Sequence, residues 1–134
     1  MNADVQELLA AAVRAKARAL APYSKFHVGA AIATRSGRIY DGCNIESSSY
    51  GLTCCAERVA LFKALSEGER DFCCVAVAAD TEDFTTPCGA CRQVLWDYGR
   101  DLEVILVNRA GATRRFKLKD LLPEAFDEHM FNHA

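Results

Sequence analysis

Residues 53–58 read Thr53-Cys54-Cys55-Ala56-Glu57-Arg58, and residues 87–91 read Pro87-Cys88-Gly89-Ala90-Cys91. The first stretch offers a thiolate with a carboxylate two residues later; the second offers two thiolates at C-x-x-C spacing. A catalytic zinc needs three protein ligands, an open fourth position for water and a nearby proton carrier. Cys55, Cys88 and Cys91 supply three sulfurs, and Glu57 supplies the carboxylate. Each stretch also stands where a helix begins. Cys55 to Leu65 reads as helical, with Val59, Phe62 and Leu65 or Ser66 on one side and Gly68 as the stop. Cys88 to Tyr98 reads as a second such helix, preceded by Pro87 and stopped by Gly99.

Working outward, Cys73 to Ala79 (CCVAVAA) is a short continuous apolar run, the pattern of a central strand buried on both faces. Leu102 to Val107 is another. Helix, strand, helix, strand in that order predicts a parallel crossover between the two strands. The link from Val107 to Thr113 is too short for a helix, so a last strand over Thr113 to Lys117 should pair antiparallel. Upstream, Phe26 to Thr34 and Arg38 to Cys43 flank the turn signal Ser36-Gly37 and read as a hairpin, with Gly29-Ala30-Ala31 small enough for a helix to pack closely. Val5, Leu8, Leu9, Ala12 and Val13 recur at helical spacing behind a capping box at Asp4 and Glu7, with Leu20 closing the run before Pro22. Asn44 to Tyr50 is polar and aperiodic, hence a loop. Leu118 to Leu122 reads as a short helical turn. The expected fold is α/β, a three-layer α/β/α arrangement around a mixed five-stranded sheet, forming one domain over residues 1–134.

Composition narrows the function. The formal net charge of -2 lacks the basic excess of a nucleic-acid-binding surface. No apolar run is long enough to span a membrane, and Met1-Asn2-Ala3-Asp4 does not resemble a signal peptide. Seven cysteines, an odd count without a secretory signal, favour metal ligands and free thiols over a disulfide framework. The expected location is cytoplasmic.

Other readings of the sulfurs stand beside the catalytic one. Cys88-Gly89-Ala90-Cys91 alone could be a redox pair opening a helix. A closed structural zinc site would take Cys54 or Cys43 as a fourth ligand. Cys43, Cys73 and Cys74 fall on expected strands, where buried thiols are inert. Arg58 carries a cation that would offset thiolate charge. His129 and His133 read as solvated tail residues.

The chain resembles the cytidine deaminases of the small free-nucleoside type, over nearly its whole length. Pro22-Tyr23-Ser24-Lys25-Phe26-His27-Val28-Gly29-Ala30-Ala31 is similar to that family's opening motif, and Asn44-Ile45-Glu46 to its ribose-binding motif. Cys55-Ala56-Glu57-Arg58 and Pro87-Cys88-Gly89-Ala90-Cys91-Arg92-Gln93-Val94 resemble its two zinc motifs, and Leu121-Leu122-Pro123 with Phe126 its C-terminal end. The position two residues before the glutamate then selects Cys55 rather than Cys54 as ligand.

The resemblance implies hydrolytic deamination of cytidine and 2'-deoxycytidine at ring carbon 4, with one Zn2+ per subunit. It gives Glu57 the task of taking a proton from water, delivering it to ring nitrogen 3 and helping ammonia leave. It places Phe26 on the pyrimidine ring, the main chain at Ala56 and Thr86 on the base's polar edge, and Asn44 and Glu46 on the sugar. It further implies a homotetramer in which Tyr23, Tyr50 and Phe126 reach neighbouring subunits, and a role in pyrimidine salvage. Three rivals remain open: a blasticidin-type aminonucleoside deaminase, a deaminase of cytosine within RNA or DNA, and a structural-zinc binding module.

Overall fold

In a computed structural model, residues 4–131 are described. Helix α1 (Val5–Lys16) starts at Asp4, whose carboxylate accepts from the Gln6 N–H at 2.9 Å. That bond satisfies one of the free donors of the first turn. Strands β1 (Val28–Thr34) and β2 (Ile39–Cys43) form the expected hairpin, closed by a turn in which Gly37 adopts φ 101°. Helix α2 (Ala56–Ser66), strand β3 (Phe72–Ala79), helix α3 (Gly89–Tyr98), strands β4 (Glu103–Val107) and β5 (Thr113–Lys117), and the short helix α4 (Leu118–Leu121) follow.

The sheet order is β2-β1-β3-β4-β5. Among the described strands of the sheet, β3 and β4 are the parallel pair; β5 is antiparallel to β4, as the short link requires. Every residue of β1 and β3 is buried, because both strands are paired on two sides and covered on two faces. Alternation sorts their side chains. Ala31, Ala33, Ala76 and Ile105 meet Leu8, Ala11 and Ala12 of α1, while Ile32, Val75, Val77 and Leu106 meet Ala60 and Leu61 of α2 and Leu95 of α3. This is the three-layer arrangement expected from the sequence.

Close approach on both faces depends on two glycines. A Cβ at Gly29 would lie 2.1 Å from the Ala12 carbonyl oxygen of α1, and one at Gly42 would lie 2.6 Å from the Ala60 nitrogen of α2. The second contact explains where the reading of α2 fails. Its buried face is Ala56, Glu57, Ala60, Leu61 and Ala64, and Phe62 is exposed. Three alanines, with Glu57 and Leu61, make that face because backbone must meet backbone beside Gly42. The first helix also ends at Lys16, short of Leu20. Leu20 instead joins a small ladder, donating its N–H to the Asn44 carbonyl and accepting from the Glu46 N–H, each at 2.9 Å.

Register brings four strand ends together. Val28 pairs with Ala79, Gly29 with Cys43, and Ala78 with Val107. The segments leaving the carboxyl ends of β2, β3 and β4 therefore emerge at one end of the sheet. In open α/β sheets that end, outside the carboxyl ends of the parallel strands, is where ligands bind.

Candidate metal centre and active site

Cys55 is the N-cap of α2 and Cys88 the N-cap of α3. N-caps are ordinarily Ser, Thr, Asp or Asn, whose oxygen bonds back to the first turn. Neither cysteine does so. Their sulfurs instead lie 3.8 Å apart. Cys91, within α3 and fully buried, completes a group whose sulfurs all lie within 4.8 Å of one another. Two helix N-termini, each carrying partial positive charge, thus meet at a thiol cluster and favour its ionised form.

The donor set fits zinc. A Zn–S bond of about 2.3 Å with tetrahedral angles requires sulfurs about 3.8 Å apart, the separation found for Cys55 and Cys88. Among the described residues the cluster holds Cys55, Cys88 and Cys91; Cys54 and Cys43 stand outside it. Cys54 is held away by its backbone, which exchanges two 2.9 Å bonds with Ile45, and burial raises its thiol pKa. Three sulfurs without a fourth leave the open position that distinguishes a catalytic zinc from a structural one.

Charge in the cluster centres on Cys55. The hydrogen bond from Cys91 and those from Arg58 and Cys88 overcome burial and bring its thiol down to about 5. The Cys91 thiol moves the opposite way, raised by that same bond to Cys55 and by burial. Arg58 Nη2 sits 3.5 Å from the Cys55 sulfur and 3.5 Å from the Thr53 carbonyl oxygen. The guanidinium is thereby placed where a charge-offsetting role needs it.

Glu57 is 4% exposed. Burial pushes its carboxyl up to about 7, with the Cys55 thiolate adding in the same direction against the Arg58 cation. Such a group can take and return a proton near neutral pH.

Cys55, Glu57 and Cys88 line one cavity of about 170 Å³. It brings together Phe26, Asn44, Cys55, Ala56, Glu57, Thr86 and Cys88, seven of the residues singled out in the sequence. Val28, Thr53, Val77 and Thr85 also line it and were not singled out as site residues in the sequence. Phe26 is 39% exposed, so it is a cavity wall and not a core aromatic. Asn44, 7% exposed, has a structural task as well. Its Oδ1 accepts from the Val28 N–H at 2.9 Å and its Nδ2 donates to the Phe26 carbonyl at 2.7 Å, which fixes the strand start bearing Phe26.

Glu46 does not line that cavity. It faces an adjoining hollow of about 360 Å³ with Tyr23, Ser24, Tyr50 and Thr53. Thr53 borders both spaces. The Glu46 carboxylate accepts from the Tyr23 and Ser24 N–H groups at 3.0 and 3.1 Å and from the Ser24 hydroxyl. The hydrogen bond from Ser24 holds its pKa below the usual range. Its half-buried charge therefore has partners within the chain, not only the sugar expected for it. Tyr23 and Tyr50 are exposed and meet edge to face at 5.7 Å. Phe126 stands apart from both hollows. It is 55% exposed and packs edge to face against Phe131 at 5.7 Å, while its carbonyl accepts from Gln93 Nε2. His129 is exposed and hydrogen-bonded to Asp127, apart from the sulfurs; His133 lies outside the described residues.

Residues 2–107 match the family model described as the cytidine and deoxycytidylate deaminase zinc-binding region. A cytidine deaminase of Sporosarcina psychrophila is 47% identical over 132 residues, 98% of this chain and 97% of that one. The crystal structure of cytidine deaminase from Burkholderia pseudomallei superposes with a TM-score of 0.89 at 48% identity, covering 92% of this chain and 99% of that one. A blasticidin-S deaminase of Bacillus cereus is more distant, 35% identical over 75% of this chain and 76% of its own. The extent of these matches, together with the three-thiol cluster and its buried glutamate, shows that the chain belongs to the cytidine and deoxycytidylate deaminase family.

Proposed function

We propose that this protein is a zinc-dependent cytidine deaminase that hydrolyses cytidine and 2'-deoxycytidine to uridine and 2'-deoxyuridine, releasing ammonia. The observation that carries the reading is the buried Glu57 carboxylate beside the three-thiol cluster, on the wall of a cavity shared with Phe26 and Thr86. Cys55, Cys88 and Cys91 would hold one zinc per subunit. When bound, the metal supplies the positive charge that makes water a nucleophile at neutral pH.

The chain's own residues account for the rest. Glu57 takes a proton from water and delivers it to the base at ring nitrogen 3; it then takes the second proton, from the hydroxyl now on ring carbon 4, and passes it to the amino group, which leaves as ammonia. The apolar walls from Phe26, Val28 and Val77 exclude bulk water and receive the pyrimidine faces. The main chain at Ala56 and Thr86 meets the polar edge of the base. The wider hollow beyond Thr53 takes the sugar, near Asn44 and Glu46. A cavity of about 170 Å³ is small against the roughly 300–1,000 Å³ of most ligand pockets, which suits a base-sized end opening onto a wider sugar-sized one.

The same reading makes residues 1–134 one deaminase domain, acting as a homotetramer in pyrimidine salvage in the cytoplasm. Exposed Tyr23, Tyr50 and Phe126 supply contacts to neighbouring subunits. No helix among the described residues is long and apolar enough to cross a membrane. Size exclusion across a concentration series tests the assembly, and a fully active stable monomer would exclude it.

The blasticidin-type reading shares the zinc motifs, so substrate choice must separate the two. Zinc-replete protein is offered cytidine, 2'-deoxycytidine and blasticidin S, and the loss of each amino-pyrimidine is followed by ultraviolet absorbance. Rapid turnover of both nucleosides with little of the antibiotic is expected. Turnover of the antibiotic alone would reverse the assignment.

A further inference from the structure

The segment from Asp80 to Cys88 crosses from β3 to α3 without helix or strand, yet it delivers a zinc ligand and a cavity wall. Its first half is tied to the β4–β5 turn. The Arg109 N–H donates to the Thr81 carbonyl, Arg109 Nη2 to the Asp80 carbonyl and Asn108 Nδ2 to the Glu82 carbonyl, each at 2.9 Å. Its second half, Thr86-Pro87, has a different anchor. Among the described residues, every hydrogen bond reaching Thr86 or Pro87 comes from Arg92.

Arg92 stands one residue beyond Cys91 in α3. Its Nε donates to the Pro87 carbonyl at 2.7 Å, Nη2 to the Thr86 hydroxyl at 3.0 Å, and Nη1 to the Leu121 carbonyl at the end of α4 at 2.8 Å. Three nitrogens of one planar group thus clamp three points, and a lysine ammonium cannot reproduce that fork. Pro87, which has no N–H of its own, is fully buried. Its carbonyl in that setting requires a donor.

We propose that Arg92 is a positioning residue for the deamination: it locks the Thr86-Pro87 wall, and with it the Cys88 sulfur, in place opposite Glu57, using α4 as the fixed point. This rests on the cytidine deaminase reading for its turnover arm. Arg92 reaches the reaction through Thr86, Pro87 and Cys88 and contacts no substrate atom itself. The wall it holds is where the base's polar edge and the leaving ammonia are placed, so its displacement weakens the transition state more than substrate binding. Misplacement of a reacting group by about 1 Å can cost about 100-fold in rate.

The test uses the zinc-loaded full chain carrying Arg92→Lys and, separately, Arg92→Gln. Turnover of cytidine per bound zinc, KM, the thermal unfolding midpoint and the rate at which a chelator strips zinc are measured on each. The expected result is a fall in kcat per zinc of about 10- to 100-fold in both variants, with KM moving less and zinc released faster. Lysine does not rescue, and for Arg92→Lys the unfolding midpoint stays near that of the parent. If Arg92→Gln fails to fold, Arg92→Lys alone carries the test. Parent-like kcat per zinc with parent-like zinc release in Arg92→Lys would overturn the proposal. So would a turnover loss that disappears at a temperature where the variant is fully folded. Should the parent itself not deaminate cytidine, the deaminase reading fails by itself, while unchanged zinc release in the variants would still overturn the anchoring role.

Discussion

The two helix starts that deliver the sulfurs are built differently. The approach to Cys55 is held by backbone: Leu20, Ile45 and Cys54 form a small ladder, with Ile45 and Cys54 exchanging two 2.9 Å bonds. Among the described residues the approach to Cys88 has no such ladder and depends mainly on side chains from two places, Asn108 and Arg109 of the β4–β5 turn and Arg92 of α3. A backbone ladder survives most side-chain changes; a side-chain clamp can be undone at a single position. The Cys88 side should therefore be the vulnerable half of the centre, and the difference can be broken or sharpened by substitution.

The largest effect should be common to both halves. Cys55→Ser and Cys88→Ser should each take the protein from one zinc per chain toward none, with turnover lost in parallel, as measured by metal analysis of the purified variants. Full zinc retention in either would mean that the two helix starts do not converge on one ion. Next in size is Asn44→Ala, which acts on the start of β1 and leaves the backbone ladder to Cys54 intact. It strands the buried Val28 N–H and the part-buried Phe26 carbonyl, at about 1–3 kcal/mol for each unpaired group. Chemical denaturation should show a loss of about 2–4 kcal/mol, large because one amide serves both groups at the start of β1.

A smaller effect is expected from Asn108→Ala, which removes one tether of the Cys88 approach and the two bonds its Oδ1 accepts from the Ala110 and Ala112 N–H groups. The site is only half-buried, so the loss should be about 0.5–1.5 kcal/mol. Amide hydrogen exchange should quicken over residues 80–88 while 45–55 stays protected. Equal quickening of both segments would erase the contrast.

The gentlest perturbation is pH. Zinc takes thiolates, and in the metal-free protein the Cys91 thiol is held protonated by its bond to Cys55 and by burial. Binding must displace that proton, so zinc affinity rises with pH and falls as pH drops. Below about 5 the Cys55 thiolate also protonates and adds to the loss. Competition with a chelator from pH 8 to pH 5 should show this slope, and a flat profile would contradict the thiolate assignment.

Much of this was legible before the fold was seen, and the reasons are local. The cysteines and Glu57 announce themselves because metal chemistry restricts spacing. Continuous apolar runs marked β3 and β4, and the five-residue link after Val107 dictated the antiparallel β5. The buried face of α2 escapes the sequence because alanine carries little periodic signal, while Gly42 on the preceding strand decides which side packs. The wall residues Val28, Thr53, Val77 and Thr85 gain their meaning only when four strand ends align. Arg92 lay inside a quoted motif, but its clamp joins Thr86 to Leu121, and nothing in the spacing shows that bond.

Glu57 should move the proton for the reaction proposed at the three-thiol centre. Glu57→Gln keeps the shape and removes the titrating group. Metal content and cytidine turnover should be measured on the same purified sample. The expected result is one zinc per chain with turnover reduced by at least about 100-fold. Retained turnover at full zinc would contradict it.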